Sequence, residues 1–227
     1  MVFPVPPACG FIFDLDGTLV DNMALHREAF QRFSAEHALP PLSDTTWEQL
    51  DGKRNRDIFP VLFGRDLKAD ELSRCSRGKE ALYRSLAAER LVPLSGIHRL
   101  LALLAARGLP HAIATSAPAE NVAFTLRALR LDDRFSIVVR SDQVERGKPH
   151  PDVYLAAARR LDLDPSTCLA FEDAPAGVAA VLAAGMTCVA LTTTMTTHAL
   201  RAHGAVPHHI VADYDEYLEG PGGWLVS

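Results

Sequence analysis

The chain has 227 residues, 48% of them hydrophobic and 22% charged, with a formal net charge of −5. That length suits one good-sized core, or a core with a small added domain, and the composition is that of an ordinary globular protein. The acidic balance argues against a nucleic-acid partner, which needs a basic field, but a local cluster can still hold an anionic substrate.

The N-terminal stretch MVFPVPPACG has no basic n-region and no long apolar h-region, so no signal peptide is expected. No run approaches the roughly 18 apolar residues of a membrane span. Cys9, Cys75, Cys168 and Cys188 lie far apart, with no C-x-x-C pair and no histidine spacing that suggests zinc. Such usage suits a reducing compartment, and the cytoplasm is the expected location.

The first predicted strand, Phe11 to Phe13, runs straight into an acidic turn, FIFDLDGTLVD. A buried parallel strand ends this way when its carboxyl edge carries chemistry. Asp14 and Asp16 would repel each other unless a cation sits between them or one holds a proton. The pair therefore asks for a hard divalent metal, for a nucleophile beside a general acid, or for both.

Helical spacing follows. Ala24 to Leu39 reads as a helix that Asn22 caps and Pro40-Pro41 ends. Ser43 to Leu50, Asp57 to Phe63 and Ala69 to Leu91 continue the helical pattern. No strand-like run interrupts residues 22 to 92, so this block reads as a small helical bundle inserted after the first strand.

From Pro93 the character alternates. Helices are predicted at Ser95–Arg107, Pro118–Leu129, Asp152–Leu161 and Pro175–Ala184. Strands are predicted at His111–Thr115, Ile137–Val139, Leu169–Phe171, Thr187–Leu191 and His209–Val211. Alternation of this kind predicts an α/β fold with a doubly wound parallel sheet. The GPGG at 220–223 reads as a loose tail.

Each short strand is followed at once by a chemically useful residue. The first ends in Asp14 and Asp16, HAIAT in Thr115-Ser116, and LAF in Glu172-Asp173; Lys148 lies in the loop after IVV. Strand ends lie side by side in an open parallel sheet, so these residues can converge. Singly, each has a plainer reading: Ser116 as a helix cap, Lys148 as a solvated turn lysine, Glu172-Asp173 as an acidic helix start. Their order and spacing together outweigh those readings.

DLDGTLVD, TSAPAEN, GKPHPDVY and FEDAPAGV resemble, in order, the four motifs of the haloacid dehalogenase-like hydrolase superfamily. The helical block directly after the first motif is similar to a C1 cap, and the whole pattern to the beta-phosphoglucomutase-like subfamily. The resemblance implies a Rossmann-like catalytic core over residues 1–20 and 94–227 and a helical cap over 21–93 that selects the substrate. It implies Mg²⁺ held by Asp14, Asp16, Glu172 and Asp173, with Asp16 offering its backbone carbonyl. Asp14 is then the nucleophile and the Asp16 side chain the general acid and base, while Ser116 and Lys148 hold the phosphoryl oxygens. His26 matches a histidine that hydrogen-bonds the acid/base aspartate in the mutase. Gly52, Arg54, Asn55 and Arg56 in the basic turn, with Ala117 and Asn121 in the second motif, are the remaining expected substrate contacts.

One departure bears on the activity. The mutase has a lysine before the cap-loop glycine and an arginine three after it, where this chain has Asp51 and Asn55. Weaker grip on a bisphosphate favours hydrolysis over mutation. The expectation is a monomeric phosphatase of a small phosphorylated metabolite, a sugar phosphate foremost, with a phosphomutase as the alternative. A dehalogenase has no use for Asp16, and the intact acidic set argues against a silent binding module.

Overall fold

The computed structural model describes residues 8–202 and 204–226. Residues 1–7, part of the stretch read above for a leader, lie outside them. The strand β1 (Gly10–Phe13) is followed by four helices, α1 (Met23–Glu36), α2 (Asp44–Leu50), α3 (Asn55–Phe63) and α4 (Ala69–Ala87). Helices and strands then alternate as α5 (Ile97–Ala106), β2 (His111–Thr115), α6 (Ala119–Ala128), β3 (Val138–Arg140), α7 (Asp152–Arg160), β4 (Cys168–Glu172) and α8 (Pro175–Ala183). The chain closes with β5 (Thr187–Leu191), α9 (Thr197–Ala202), β6 (His209–Val211) and α10 (Tyr214–Glu219).

The strands form one parallel sheet in the order β3-β2-β1-β4-β5-β6. The chain winds outward from β1 in one direction through β2 and β3, then in the other through β4, β5 and β6. The carboxyl end of β1 is thus the switch point, where a crevice opens in sheets of this kind. β1 is buried on both faces, which is why it reads as an unbroken apolar run. Phe11 and Phe13 enter one core with Phe171, Leu100, Tyr214 and Tyr217. Ile12 enters the other with Ala170, Val153, Tyr154 and Val178. Phe13 stacks on Phe171 at 5.1 Å between ring centroids, and truncating either ring to Ala costs about 3–5 kcal/mol by the usual scale for such changes.

The helical cap has its own apolar centre, with Phe30, Phe33, Trp47, Ile58 and Phe59 all buried. Leu25 and Ala29 of α1 pack on Tyr83 and Ala87 of α4. The two connections to the core run side by side: Val20 and Pro93 form an antiparallel bridge, and Leu94 N–H donates to Leu19 O at 3.0 Å. No helix among the described residues is long and apolar enough to cross a membrane.

Three expectations change. The helix α1 stops at Glu36, ahead of the prolines: Ala38 turns left-handed at φ 51° and Leu39 N–H closes onto Ser34 O at 2.9 Å, a Schellman-type stop. Asn22 does not cap α1 with its side chain; that side chain is spent elsewhere, as described below. The tail is packed. Gly222 lies against the Tyr217 ring, Leu225 is buried, and Trp224 stacks on Phe11 at 6.3 Å. The turn formers at 220–223 therefore redirect the chain onto the core instead of releasing it.

Candidate active site

Asp14 continues the ladder beyond β1, its N–H donating to Phe171 O at 3.1 Å. This register sets Asp14 beside Glu172 and Asp173 at the end of β4. Carboxylate oxygens of the three lie within 4.8 Å of one another, all buried. Lys148 reaches in from the loop after β3, with Nζ 2.8 Å from Asp14 and 2.5 Å from Glu172. Both Glu172 oxygens are fully occupied. Oε1 accepts from Lys148 and from the Tyr154 hydroxyl at 2.8 Å, and Oε2 accepts from the N–H groups of Asp173 and Ala174 at 2.9 and 3.2 Å. A carboxylate has about four lone-pair directions, so Glu172 serves here to fix Lys148. Asp14 and Asp173 retain acceptor capacity facing the site.

Burial dominates the Asp14 carboxyl. Lys148 lowers its pKa and Glu172 and Asp16 raise it, leaving it at about 7. Asp173 is also held well above the usual carboxylate range, by burial first and then by Glu172 and Asp14. Three buried acids around the single ammonium of Lys148 cannot all ionise without a further cation. A hard divalent ion satisfies a donor set made only of oxygens, so the residues fit one. Gly17 makes room: at φ 77° it lies so close to Asp173 that a Cβ would sit 2.0 Å from Oδ2. Thr18 donates to Asp173 Oδ1 at 3.1 Å and Thr194 donates to Oδ2. Thr193 donates to the Gly17 carbonyl.

Asp16 occupies a different corner. Asn22 donates to its Oδ1 at 2.7 Å, accepts from Gly17 N–H at 3.0 Å, and donates to the Tyr83 hydroxyl at 2.6 Å. His26 brings Nε2 to 3.5 Å of Asp16 Oδ1 and stacks on the Tyr83 ring at 3.7 Å. Lys79 Nζ lies 2.8 Å from His26 Nδ1. An ammonium only donates, so Nδ1 accepts and Nε2 carries the hydrogen facing Asp16. Burial alone would raise the Asp16 carboxyl, but His26, Asn22 and Lys79 together hold it below the usual value.

The cap is closed over this centre. Ser116 Oγ donates to the Gly52 carbonyl at 2.8 Å, and a Cβ on Gly52, at φ 79°, would approach Ala174 to 3.0 Å. The Asn121 amide donates to Glu80 at 2.6 Å and accepts from Arg84 at 2.8 Å. A cavity between cap and core is lined by Asp14, Asp16, Asp173, Ser116, Ala117, His26, Gly52 and Asn55. Of the other expected residues, Arg54 does not line it. Its guanidinium pairs with Asp57 at 2.8 Å and lies over Gly147. Arg56, two positions further on, is exposed. Asn121 is buried behind the wall, and Lys148 lies beneath Asp14.

Several lining residues lie outside the expected set, among them the charged Arg27 of α1 and Lys79 and Glu80 of α4. A signal for Lys79 exists: Cys75, Lys79, Tyr83 and Ala87 recur every four residues on the buried face of α4. The threonines after β5, Thr193 and Thr194, follow the same strand-end rule as the other site residues.

Comparison with known proteins agrees with this arrangement. The haloacid dehalogenase-like hydrolase profile matches residues 10–185. The chain belongs to the haloacid dehalogenase-like hydrolase family. It is 36% identical to validoxylamine A 7'-phosphate phosphatase of Streptomyces hygroscopicus subsp. limoneus, over 83% of this chain and 88% of that one. It is 34% identical to beta-phosphoglucomutase of Bacillus subtilis (strain 168), over 77% of this chain and 79% of that one. Among solved structures, CbbY from Rhodobacter sphaeroides in complex with xylulose-(1,5)bisphosphate superposes with a TM-score of 0.80 at 25% identity, covering 92% of this chain and 96% of that one. The haloacid dehalogenase-like enzyme described here thus sits in the beta-phosphoglucomutase-like branch, among both phosphatases and a mutase.

Proposed function

We propose that the chain is a Mg²⁺-dependent phosphatase of a small phosphorylated metabolite, a sugar phosphate by class, with a catalytic core of residues 1–20 and 94–227 and a specificity cap of 21–93. The observation that carries this reading is the buried trio of Asp14, Glu172 and Asp173, with Lys148 locked against Asp14 under the closed cap. Asp14, Asp173 and the Asp16 backbone carbonyl would hold the ion, which when bound offsets the repulsion between carboxylates and phosphate.

The Asp14 carboxylate attacks phosphorus, and the phosphorus–oxygen bond to the alcohol breaks. The ester enters as its monoanion and gives its proton to the ionised Asp16, which passes it to the departing oxygen, so the alcohol leaves neutral. The resulting aspartyl phosphate meets water, whose proton goes to Asp16 as inorganic phosphate forms and the Asp14 bond breaks. Lys148 stabilises the charge on the transferring group throughout. His26, with Nε2–H toward Asp16, orients the acid/base without competing for its proton.

Hydrolysis is favoured over mutation by the cap loop. Asp51 is bound to Arg27 and Asn55 to Glu80, so neither adds positive charge at the places where the mutase has it. The deciding experiment follows phosphate release from a panel of sugar phosphates with Mg²⁺, beside a coupled assay for glucose 6-phosphate from beta-glucose 1-phosphate. Release from one or a few esters is expected. Isomer conversion with little free phosphate, stimulated by a bisphosphate, would establish the mutase instead.

A further inference from the structure

The far end of the ester is addressed by charges of the cap. Arg27, Lys53 and Lys79 line the cavity, and so do Asp51 and Glu80. Arg27 is paired with Asp51 at 2.6 Å and Lys79 with Glu80 at 3.0 Å. Asp51 and Glu80 are each only 5% exposed, so neither can swing into solvent to free its partner. Glu80 is further tied to Asn55 at 2.7 Å and to Asn121 at 2.6 Å. Lys53 is the only lining cation without a carboxylate partner among the described residues.

A second phosphate at this end would meet two fixed carboxylates and one uncompensated ammonium. It would have to break one of these two ion pairs or stay under-neutralised beside like charge, which selects against it. A hydroxyl meets the opposite situation. Lys79 and Asn55 offer donors beside the acceptors of Glu80, while Phe30 and Trp47 supply an apolar wall for the C–H face of a carbon skeleton. We propose that the cavity takes monophosphate esters of uncharged polyols, open-chain or cyclic, and rejects esters bearing a second phosphate, with Asp51 and Glu80 as the specificity-determining residues. This inference rests on the phosphatase reading above.

Binding and turnover separate the two ideas. The Asp14→Asn protein, with Mg²⁺ present, is titrated calorimetrically with a series of pentose, hexose and hexitol monophosphates and with the corresponding bisphosphates. Phosphate release by the unaltered enzyme is followed on the same set. At least one monophosphate should bind about 10-fold or more tighter than its bisphosphate. Asp51→Asn or Glu80→Gln, added to Asp14→Asn, should narrow that ratio by about 10-fold. Because Glu80 is tied to several neighbours, Asp51→Asn keeps the test alive should Glu80→Gln not fold. Equal or tighter binding of the bisphosphates overturns the inference, as does failure of every monophosphate to bind, or a ratio that neither substitution moves. Absence of release from every ester removes the phosphatase reading, and the binding ratio still decides this one.

Discussion

The Lys148 ammonium lies 2.5 Å from a Glu172 oxygen that also accepts from Tyr154 and has no lone pair left for a metal. Among the described residues, Asp173 receives only hydroxyl hydrogen bonds, one on each oxygen, from Thr18 and Thr194. Adjacent acids at the end of one strand are therefore placed for different work, one holding a lysine and the other, on the function proposed above, left to face an ion. Asp173→Asn should weaken Mg²⁺ binding by more than 10-fold, and by more than Glu172→Gln does. Glu172→Gln should instead lower kcat by loosening Lys148. Calorimetric metal titration of both variants, beside their kinetics, makes the comparison.

Asp14 supplies the next expectation. Asp14→Asn should reduce phosphoryl transfer by at least about 10³-fold, since an amide is no nucleophile for the covalent intermediate assigned to this position. It should leave the melting temperature of the metal-free protein unchanged or raised, because an amide removes one charge from a crowded buried set while Lys148 keeps Glu172. Retained turnover would remove Asp14 as the nucleophile.

The raised Asp14 pKa also fixes a sign for stability against pH. The folded protein holds this proton up to about pH 7, whereas the unfolded chain loses it near 3.8. Between those values the folded state binds more protons, so stability declines as pH rises. Asp173 is shifted in the same direction. Asp16 and Glu80 are held below their ordinary values; their contribution is complete above the unfolded carboxylate range and does not oppose the trend. Calorimetric melting without metal should therefore give greater stability at pH 5 than at pH 8, by on the order of a few kcal/mol. Mg²⁺ should raise the melting temperature more at pH 8 than at pH 5. The reverse order would show that no group in the cluster keeps its proton.

Asn22 joins the first loop to the cap through Gly17, Asp16 and Tyr83. Asn22→Ala takes a hydrogen-bond donor from the buried Tyr83 hydroxyl and from Asp16, while Gly17 N–H keeps the Val20 carbonyl at 2.8 Å, at a cost of about 1–3 kcal/mol. It should also free Asp16 from one restraint, so kcat should fall by more than KM changes. Denaturant unfolding and steady-state kinetics on the same preparation give both numbers.

Ala38 stands at φ 51° in the turn that stops α1, a conformation that costs a side-chain-bearing residue about 1–2 kcal/mol. Glycine has no such penalty but loses more freedom on folding. Ala38→Gly should stabilise the protein by up to about 1 kcal/mol without altering kinetics, as read from the denaturation midpoint.

The catalytic centre was legible because each short apolar run in the second half ends where its polar residue begins, and a parallel sheet gathers those ends. Asp14, Lys148, Glu172 and Asp173 come together in that way. The cap was less legible, because helical spacing tells which face is buried but not what a buried charge touches. Lys79 sits on the apolar stripe of α4 and reads there as one more charge on a long helix. The arginines at 54 and 56 read as substrate contacts because the turn is basic. Yet Arg54 is taken by Asp57 three residues on and Arg56 is exposed. Tail packing is not legible in the sequence, because Gly and Pro mark a change of direction and what Trp224 and Leu225 meet afterwards is a tertiary matter.

The paired connections at Leu19–Leu94 and Val20–Pro93 have an evolutionary consequence. The inserted helices leave and rejoin the sheet at nearly the same point, so the β1–α5 link stays short whatever lies between. A replacement insert of different length or helix number has to bring its own two ends together and also supply the partners that Asn22 and His26, backed by Tyr83, give the first loop and Asp16. Away from those positions its outline can change while the sheet and the acids at its edge stay as they are.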